Sequence, residues 1–211
     1  MTPRRLIFGP AIVVFAVMSA SGCATPSPSA ASPDAPVGHA LGSLWPGAPE
    51  GEVIGQGTVM DIAGSAELCL GGVMESWPPQ CNGMPLKSWS WEGVEGWDSQ
   101  GETRWGTYAV QGTFDGAELT VTQPPIMLAL YDPMAADDPT GGRPGTASEA
   151  ELSDMQERVA EVLGEAYLGS YPENGRLVVE VLWDDGTWQD AADADFGPDK
   201  LLIRSALQPL D

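Results

Sequence analysis

The sequence predicts a mainly β protein with an α+β part: a small, disulfide-stapled β-barrel or sandwich, followed by one helix packed on a small antiparallel sheet. Two observations carry this prediction. Residues 51–125 alternate apolar and polar side chains between turn residues, and a single amphipathic helical segment follows with short strand-like runs behind it. We therefore expect a β domain at 50–130, a linker at 131–147 and an α+β domain at 148–211.

The β domain is predicted from its alternating segments and its turns. Asp115-Gly116 stands between two alternating segments, and Asp-Gly takes the positive φ angles of a tight hairpin turn. About four or five short strands in this length suggest a small barrel or sandwich. The segments are EVIGQGTVMDI, AELCLG, TRWGTYAVQGTF and AELTVTQ.

The helix is predicted at 148–163. Ser148 followed by Glu151 is a capping-box pattern, and Gly164 is a typical residue just past a helix end. The apolar residues fall on one helical face: Leu152, Met155, Val159, Val162 and Leu163.

Three further strands are predicted after the helix, in GRLVVEVLW, GTWQDA and KLLIRSAL. Asn174-Gly175 and Asp185-Gly186 are hairpin dipeptides and favour antiparallel neighbours. The helix would cover one face of this sheet.

The N-terminus has the organisation of an export signal at 1–22. Arg4 and Arg5 precede an apolar run that is shorter than the roughly 20 residues a membrane span needs. Ala20-Ser21-Gly22-Cys23 resembles the lipobox of bacterial lipoproteins, which implies cleavage before Cys23 and attachment of a diacylglyceryl group to its thiol. The alternative is an ordinary secretory signal. Export would use either the general secretory route or the twin-arginine route.

A Pro, Ser and Ala-rich tether is predicted at 23–49. Two acyl chains anchor a protein stably. We therefore expect an extracytoplasmic protein held by its N-terminal lipid on the outer face of the cell membrane.

The charge excludes one class of partner. Without Arg4 and Arg5 the chain has 9 − 2 = 7 basic residues against 30 acidic ones, a net charge of 7 − 30 = −23. Binding to phosphate backbones needs clusters of Lys and Arg, so we expect no nucleic-acid partner. The acidity favours solubility or a cationic or basic partner.

Two cysteines remain beyond the lipobox, Cys69 and Cys81. In an exported chain, two spare thiols most simply form a disulfide. Trp77 lies inside the bridged loop, and Trp89 and Trp91 follow it. These tryptophans are candidates for ligand binding by stacking, and the alternative is that they belong to the core.

No catalytic residue, cofactor or metal ligand set can be assigned. The single histidine, His39, lies in the tether, where it has no fixed position as a base. The nucleophile-elbow, phosphate-loop and zinc-protease motifs are absent from the sequence. The aspartates at 184–199 fit the pattern of a calcium loop poorly, and a solvated acidic face is the simpler interpretation.

The Cys…Trp-Pro-Pro…Cys stretch and the C-terminal DDGTWQDAADADFG segment resemble uncharacterised actinobacterial lipoproteins. The resemblance implies no assigned activity. We expect a non-enzymatic binding or assembly module at the cell envelope, with an envelope protein or a cell-wall glycan as partner and an oligomeric state that the sequence leaves open. The alternatives are a carbohydrate or cell-wall binder that uses exposed tryptophans and a carboxylate-based hydrolase.

Overall fold

A computed structural model describes residues 41–133 and 138–210. The predictions for the signal peptide, Cys23, His39 and the tether up to residue 40 lie outside these residues. In the described part, the helices are all too short or too polar to cross a membrane.

The described chain forms two sheets and two α-helices. The helices are α1 (Glu149–Leu163) and α2 (Thr187–Phe196). The strands are β1 (Glu52–Ile62), β2 (Ser65–Cys69), β3 (Met84–Lys87), β4 (Trp97–Gln100), β5 (Thr103–Phe114), β6 (Leu119–Val121), β7 (Ile126–Met127), β8 (Tyr167–Glu173), β9 (Arg176–Val181), β10 (Leu201–Ser205) and β11 (Leu207–Pro209).

The larger sheet closes into a five-stranded barrel in the order β1-β2-β3-β6-β5, because β5 pairs again with β1. The closing pair is long and antiparallel and runs from Glu52↔Thr113 to Ile62↔Thr103. The β3–β6 pair is parallel. Strands β4, β7 and β11 extend the barrel at its edges. The predicted fold class is confirmed, with the barrel as the form adopted.

Alternate residues of the barrel strands fill its interior, as in other small barrels. The predicted turn at Asp115-Gly116 is present: the Asp115 carboxylate accepts from the N–H groups of Ala117 and Glu118, both at 2.9 Å, and Gly116 has φ +101°. The barrel core consists of Val53, Val59, Leu68, Met84, Tyr108, Val110, Phe114, Leu119 and Leu207.

The disulfide between Cys69 and Cys81 is present, as predicted. Cys69 is buried at the end of β2, and it packs with Met60 and Trp105 outside the barrel core. The bridge therefore ties the loop after β2 to the barrel wall.

The smaller sheet has the order β10-β9-β8, with β8 and β9 antiparallel and β9 and β10 parallel. The predicted Asn174-Gly175 hairpin joins β8 to β9, and both residues have positive φ. The prediction of an all-antiparallel sheet is wrong because a helix, α2, connects β9 to β10. Parallel neighbours need such a crossover.

Helix α1 begins and ends as predicted. Ser148 and Glu151 form both hydrogen bonds of the capping box, and Gly164 follows the last helical residue with φ +52°. Met155, Val159 and Leu163 are buried against the small sheet, whereas Val162 is exposed, contrary to the prediction.

Helix α2 replaces the strand and the hairpin predicted around Asp185-Gly186. Gly186 has φ +102° and stands at the N-cap, so its positive φ starts a helix rather than a hairpin. Trp188, Ala191 and Ala192 are buried, with the i, i+3, i+4 spacing of one helical face. Both helices thus pack on the same face of the small sheet.

Two segments pack with a part of the fold other than the predicted domain or tether to which they were assigned. Strand β11, within the predicted α+β domain, pairs with β1, and Leu207 is fully buried in the barrel core. Residues 41–49, which were predicted as part of the tether, pack near the small sheet and its helices. Leu41 is buried in the core between the helices and the small sheet, and its N–H donates to the Asp195 carboxylate at 2.7 Å. The described chain belongs to one compact unit.

Candidate ligand-binding groove

The tryptophans of the β3–β4 loop, residues 88–96, lie against the barrel core but outside any strand. Trp89 and Trp91 are half-buried, and their rings meet edge to face with centroids 5.1 Å apart. Both rings also lie near Tyr108, at 5.7 and 6.1 Å. Both side chains pack on the same surface of the barrel core.

Side-chain hydrogen bonds fix this loop in place. The Tyr108 hydroxyl donates to the Glu95 carbonyl at 2.9 Å, and Trp91 Nε1 donates to the Asp61 carboxylate at 2.7 Å. Trp97 Nε1 donates to the Val94 carbonyl at 3.1 Å. Burial raises the pKa of Tyr108, so its hydroxyl keeps its proton to a higher pH than that of an exposed tyrosine. The loop is therefore a preformed wall rather than a loose connection.

A second wall follows β6. The Thr122 N–H donates to the Gln111 carbonyl at 3.1 Å, and β7 pairs with β5 through Tyr108↔Met127. Gly96 has φ +78°, and a Cβ there would lie 2.9 Å from the Met127 sulfur. The two walls therefore touch at one end.

An open groove of about 630 Å³ lies between these walls. Leu130 at its edge is 77% exposed. Among the groove's lining residues only Glu92 and Glu95 carry charge, and neither Lys, Arg, His nor Cys contributes. The lining consists of Ser88, Trp89, Ser90, Glu92, Gly93, Val94, Glu95, Tyr108, Val121, Thr122, Gln123, Pro124, Pro125, Ile126, Met127 and Leu130.

Only one of the three candidate tryptophans lines the groove, Trp89. Its Nε1 is buried and has no hydrogen-bond partner among the described residues. Trp91 contacts the Trp89 ring without lining the groove itself. The Arg104 guanidinium lies over the ring of Trp97 at 4.6 Å and over that of Trp91 at 5.6 Å, a cation–π arrangement.

Trp77 lies elsewhere, on the disulfide-bridged loop. It is 67% exposed, and its ring meets Trp105 edge to face at 4.9 Å. Trp105 is buried beside the disulfide. Trp77 is thus a separate exposed aromatic and not part of the groove.

The aspartates near the C-terminus form hydrogen bonds that hold the fold. Asp184 accepts from the Trp188 N–H at 2.9 Å at the start of α2, and burial raises its pKa. Asp185 accepts from the Gly47 N–H at 2.9 Å. In the described ranges, no group of three or more His, Cys, Asp or Glu side chains is placed to hold a metal ion.

The sequence contained a weak signal for the second wall. Gln123-Pro124-Pro125 begins two residues after the end of β6, and a Pro pair ends a strand and leaves a rigid, extended segment. That this segment lies near Trp89 depends on the parallel pairing of β3 with β6, which brings the chain after β3 beside the chain after β6.

Comparison of the chain with protein-family models, with curated proteins and with solved structures finds no match in any of the three. The groove is therefore interpreted from its own chemistry.

Proposed function

We propose that this protein is a lipid-anchored, extracytoplasmic binding module of the cell envelope, and that its groove holds a neutral glycan strand. The observation that carries the proposal is the preformed groove, which Trp89 lines together with a proline-rich segment. Cys23 would carry the lipid, and the tether would lead from the membrane to the folded part.

The groove chemistry favours a glycan over other ligands. The Trp89 ring supplies apolar area for a sugar ring, while the Gln123 amide and the Ser and Thr hydroxyls that line the groove can pair with sugar hydroxyls. The volume falls within the range of about 300–1,000 Å³ typical of ligand sites. Glu92 and Glu95 repel anionic ligands, which argues against polyphosphates and acidic polysaccharides.

The second candidate is a carboxylate-based hydrolase, because Glu92 and Glu95 line the same groove as the aromatic rings. Glycoside hydrolysis uses a pair of carboxyl groups on either side of the bond that breaks. Both glutamates belong to one wall, which favours binding. Replacing each with Gln separates the candidates, since a hydrolase would lose turnover on cell-wall glycan while a binder would keep its affinity.

The binding proposal is tested with the full-length chain carrying Cys23→Ser, incubated with purified cell-wall glycan. Leu130→Asp places a charge at the groove edge and should reduce binding at least tenfold, which corresponds to about 1.4 kcal/mol. Ile62→Asp is the matched control, since Ile62 is likewise an exposed apolar residue and lies outside the groove. It should leave binding unchanged.

A third variant separates the groove from the bridged loop. Trp77→Ala should keep full binding if the groove is the site. Loss of binding in Trp77→Ala with retention in Leu130→Asp would move the site to the disulfide loop. No saturable binding by the folded parent chain would refute the glycan proposal and direct the search to envelope proteins.

The lipid anchor has an independent test in the expressing bacterium. Metabolic labelling with a palmitate analogue should mark the chain, and Cys23→Ala should abolish both the label and the membrane association. Labelling that survives Cys23→Ala would exclude this anchor.

A further inference from the structure

An exposed apolar surface lies on the outer side of the barrel wall, separate from the groove. In the described part of the chain, five large apolar side chains are more than half exposed, and three of them belong to this surface: Ile62, Met74 and Trp77. None of the three lines the groove. Single exposed apolar residues are common, whereas a group of them marks an interaction site.

The strands place the base of this surface on the outside of the barrel. Adjacent residues of a strand point to opposite sides, and Val59 belongs to the barrel core. Its neighbour Met60 therefore points outward, where it packs with Trp105, its partner on β5. Ile62 lies two residues beyond Met60 and points to the same side. We call this side of β1, β2, β4 and β5, together with the bridged loop at residues 70–80, the outer face.

The bridged loop holds Trp77 in a defined position on the outer face. The Met74 N–H donates to the Gln80 carbonyl at 2.8 Å, and the disulfide closes the loop against β2. The Trp77 ring rests edge to face on Trp105, which is only 8% exposed. An ordered, exposed tryptophan is the residue type that most often dominates the binding energy of a protein interface.

Carboxylates flank these apolar side chains. Asp98 on β4 is directly across from Trp105, and Glu67 on β2 is directly across from Met60. Glu75 lies on the bridged loop, two residues from Trp77. Among the described residues, the ion pairs all involve other side chains, so these three carboxylates are not neutralised by a base.

The outer face contains no basic side chain of its own. Arg104 is the only Lys or Arg in β1, β2, β4 and β5, and the bridged loop contains neither residue. Arg104 is adjacent to Trp105 in β5 and points to the opposite side, where its guanidinium lies over the Trp97 ring. The outer face therefore combines exposed apolar area with negative charge alone.

This charge selects among the possible occupants. A second copy of the chain would bring another net charge of −21 against the same carboxylates, and anionic lipid would be repelled in the same way. A basic surface with apolar side chains complements both properties of the outer face.

We propose that the outer face docks a basic segment of a partner protein, which packs an apolar side chain against Trp77 and places lysine or arginine beside Asp98 and Glu75. This docking surface is independent of the groove, so the protein would bind a glycan and a basic protein at different places.

The proposal is tested by NMR on the ¹⁵N-labelled full-length chain with Cys23→Ser, through its tryptophan indole N–H resonances. Two short peptides of equal length and charge are compared, one alternating lysine with leucine and one alternating lysine with serine. The Trp77 resonance, assigned by its loss in Trp77→Ala, should shift saturably with the lysine–leucine peptide. The lysine–serine peptide should bind at least tenfold more weakly. Equal responses would reduce the effect to general attraction by an acidic protein and overturn the proposal.

A matched pair of tryptophan variants locates the binding. Trp45 is 62% exposed, and its ring also meets a buried tryptophan edge to face, Trp188 at 5.4 Å. Titration calorimetry with the lysine–leucine peptide should show at least tenfold weaker binding for Trp77→Ala and unchanged binding for Trp45→Ala. Equal affinities of these two variants would contradict the site.

A matched pair of charge variants tests the carboxylates. Asp98→Asn combined with Glu75→Gln should weaken binding of the lysine–leucine peptide and make it less dependent on salt. Glu149→Gln combined with Glu157→Gln removes the same charge from exposed positions of α1 and should have a smaller effect. An equal loss in both double variants would show that the attraction is spread over the whole protein and would overturn the proposal.

Two further results would assign the outer face to a different occupant. A concentration-dependent dimer in analytical ultracentrifugation that disappears in Trp77→Ala would assign it to a second copy of the chain. A saturable shift of the Trp77 resonance with purified cell-wall glycan would assign it to glycan. Either result would overturn the proposal of a basic partner.

Discussion

At the residue scale, the start of α1 depends on one carboxylate. Glu151 accepts from the backbone N–H of Ser148 at 2.9 Å and also pairs with Lys200, next to β10. The bond from Lys200, followed by those from Ser148, lowers the pKa of Glu151 from 4.5 to about 2. One side chain thus joins the helix start to the small sheet.

Glu151→Gln should change how stability depends on pH. Since the folded pKa is depressed, the stabilisation by ionised Glu151 is full above about pH 4.5 and is lost as the pH falls toward about 2. The parent chain should lose stability across this window more steeply than the variant. Urea unfolding at about pH 6 and about pH 3 measures the difference.

Glu149→Gln is the matched control, because Glu149 lies in the same first turn while the contacts from Ser148 and Lys200 go to Glu151. A pH profile of Glu151→Gln that coincides with the parent profile would show that the pair with Lys200 contributes nothing measurable.

At the element scale, glycine lets the barrel strands approach closely. A Cβ at Gly57 would lie 2.1 Å from the Cys69 carbonyl oxygen, and one at Gly112 would lie 2.2 Å from the Thr120 carbonyl oxygen. Both clashes are with backbone of a neighbouring strand, which cannot move as a side chain can. The tight closure of the barrel therefore requires these glycines.

Gly57→Ala should lower the free energy of unfolding by about 1–3 kcal/mol or more, the usual cost of overpacking. Gly51→Ala is the control, because a Cβ at Gly51 would have no neighbour within 4 Å. Its effect should stay within about 0.5 kcal/mol. Equal unfolding midpoints in urea for the two variants would contradict the close approach.

The disulfide should stabilise the barrel wall. The bridge has a sequence separation of 12, and closing a loop of this size contributes about 3 kcal/mol in the chain-entropy model. Cys69→Ala with Cys81→Ala should therefore lower the free energy of unfolding by up to this amount. A double variant as stable as the oxidised parent in urea would show that the bridge is dispensable.

The elements differ in how far the sequence could predict them. The capping box, the Asp-Gly turn and the Asn-Gly hairpin are local, so residue identity alone predicted them. The hairpin predicted at Asp185-Gly186 is wrong because a Gly with positive φ occurs both in hairpin turns and at helix N-caps. The spacing of Trp188, Ala191 and Ala192 was a helical signal, but the helix is short and acidic.

At the scale of the whole molecule, two hydrophobic cores are joined by the chain itself. Leu207 on β11 completes the barrel core, while Leu41 and Trp188 belong to the core under the helices. Trp188 Nε1 donates to the Leu44 carbonyl at 2.8 Å, and Trp183 Nε1 donates to the Gly47 carbonyl at 2.9 Å. These connections predict that the two cores unfold together.

Leu207→Ala and Leu177→Ala test this coupling, because each removes a fully buried side chain from a different core. Each should cost about 2–5 kcal/mol and shift the same single transition. Tryptophan fluorescence and far-UV circular dichroism should report coincident midpoints. Separate transitions for the two variants would show that the cores unfold independently.

The groove as a whole could not be predicted from the sequence, although one of its residues could. Trp89 was a candidate from its residue type, and the Gln123–Pro125 wall was visible only as a break after a strand. Their juxtaposition depends on long-range pairings, β1 with β5 and β3 with β6, whose partners no local pattern specifies. The closed barrel, rather than any motif, creates the site.

The pairing of β1 with β11 also affects how the protein is made. A chain emerges from its N-terminus, so β1 and its barrel neighbours are available long before Leu207 is synthesised. Contacts between such distant segments raise the contact order and slow folding. Until β11 is available, the Val53–Gly55 edge of β1 lacks its partner and the barrel core lacks Leu207. An unpaired strand edge of this kind is a template for aggregation.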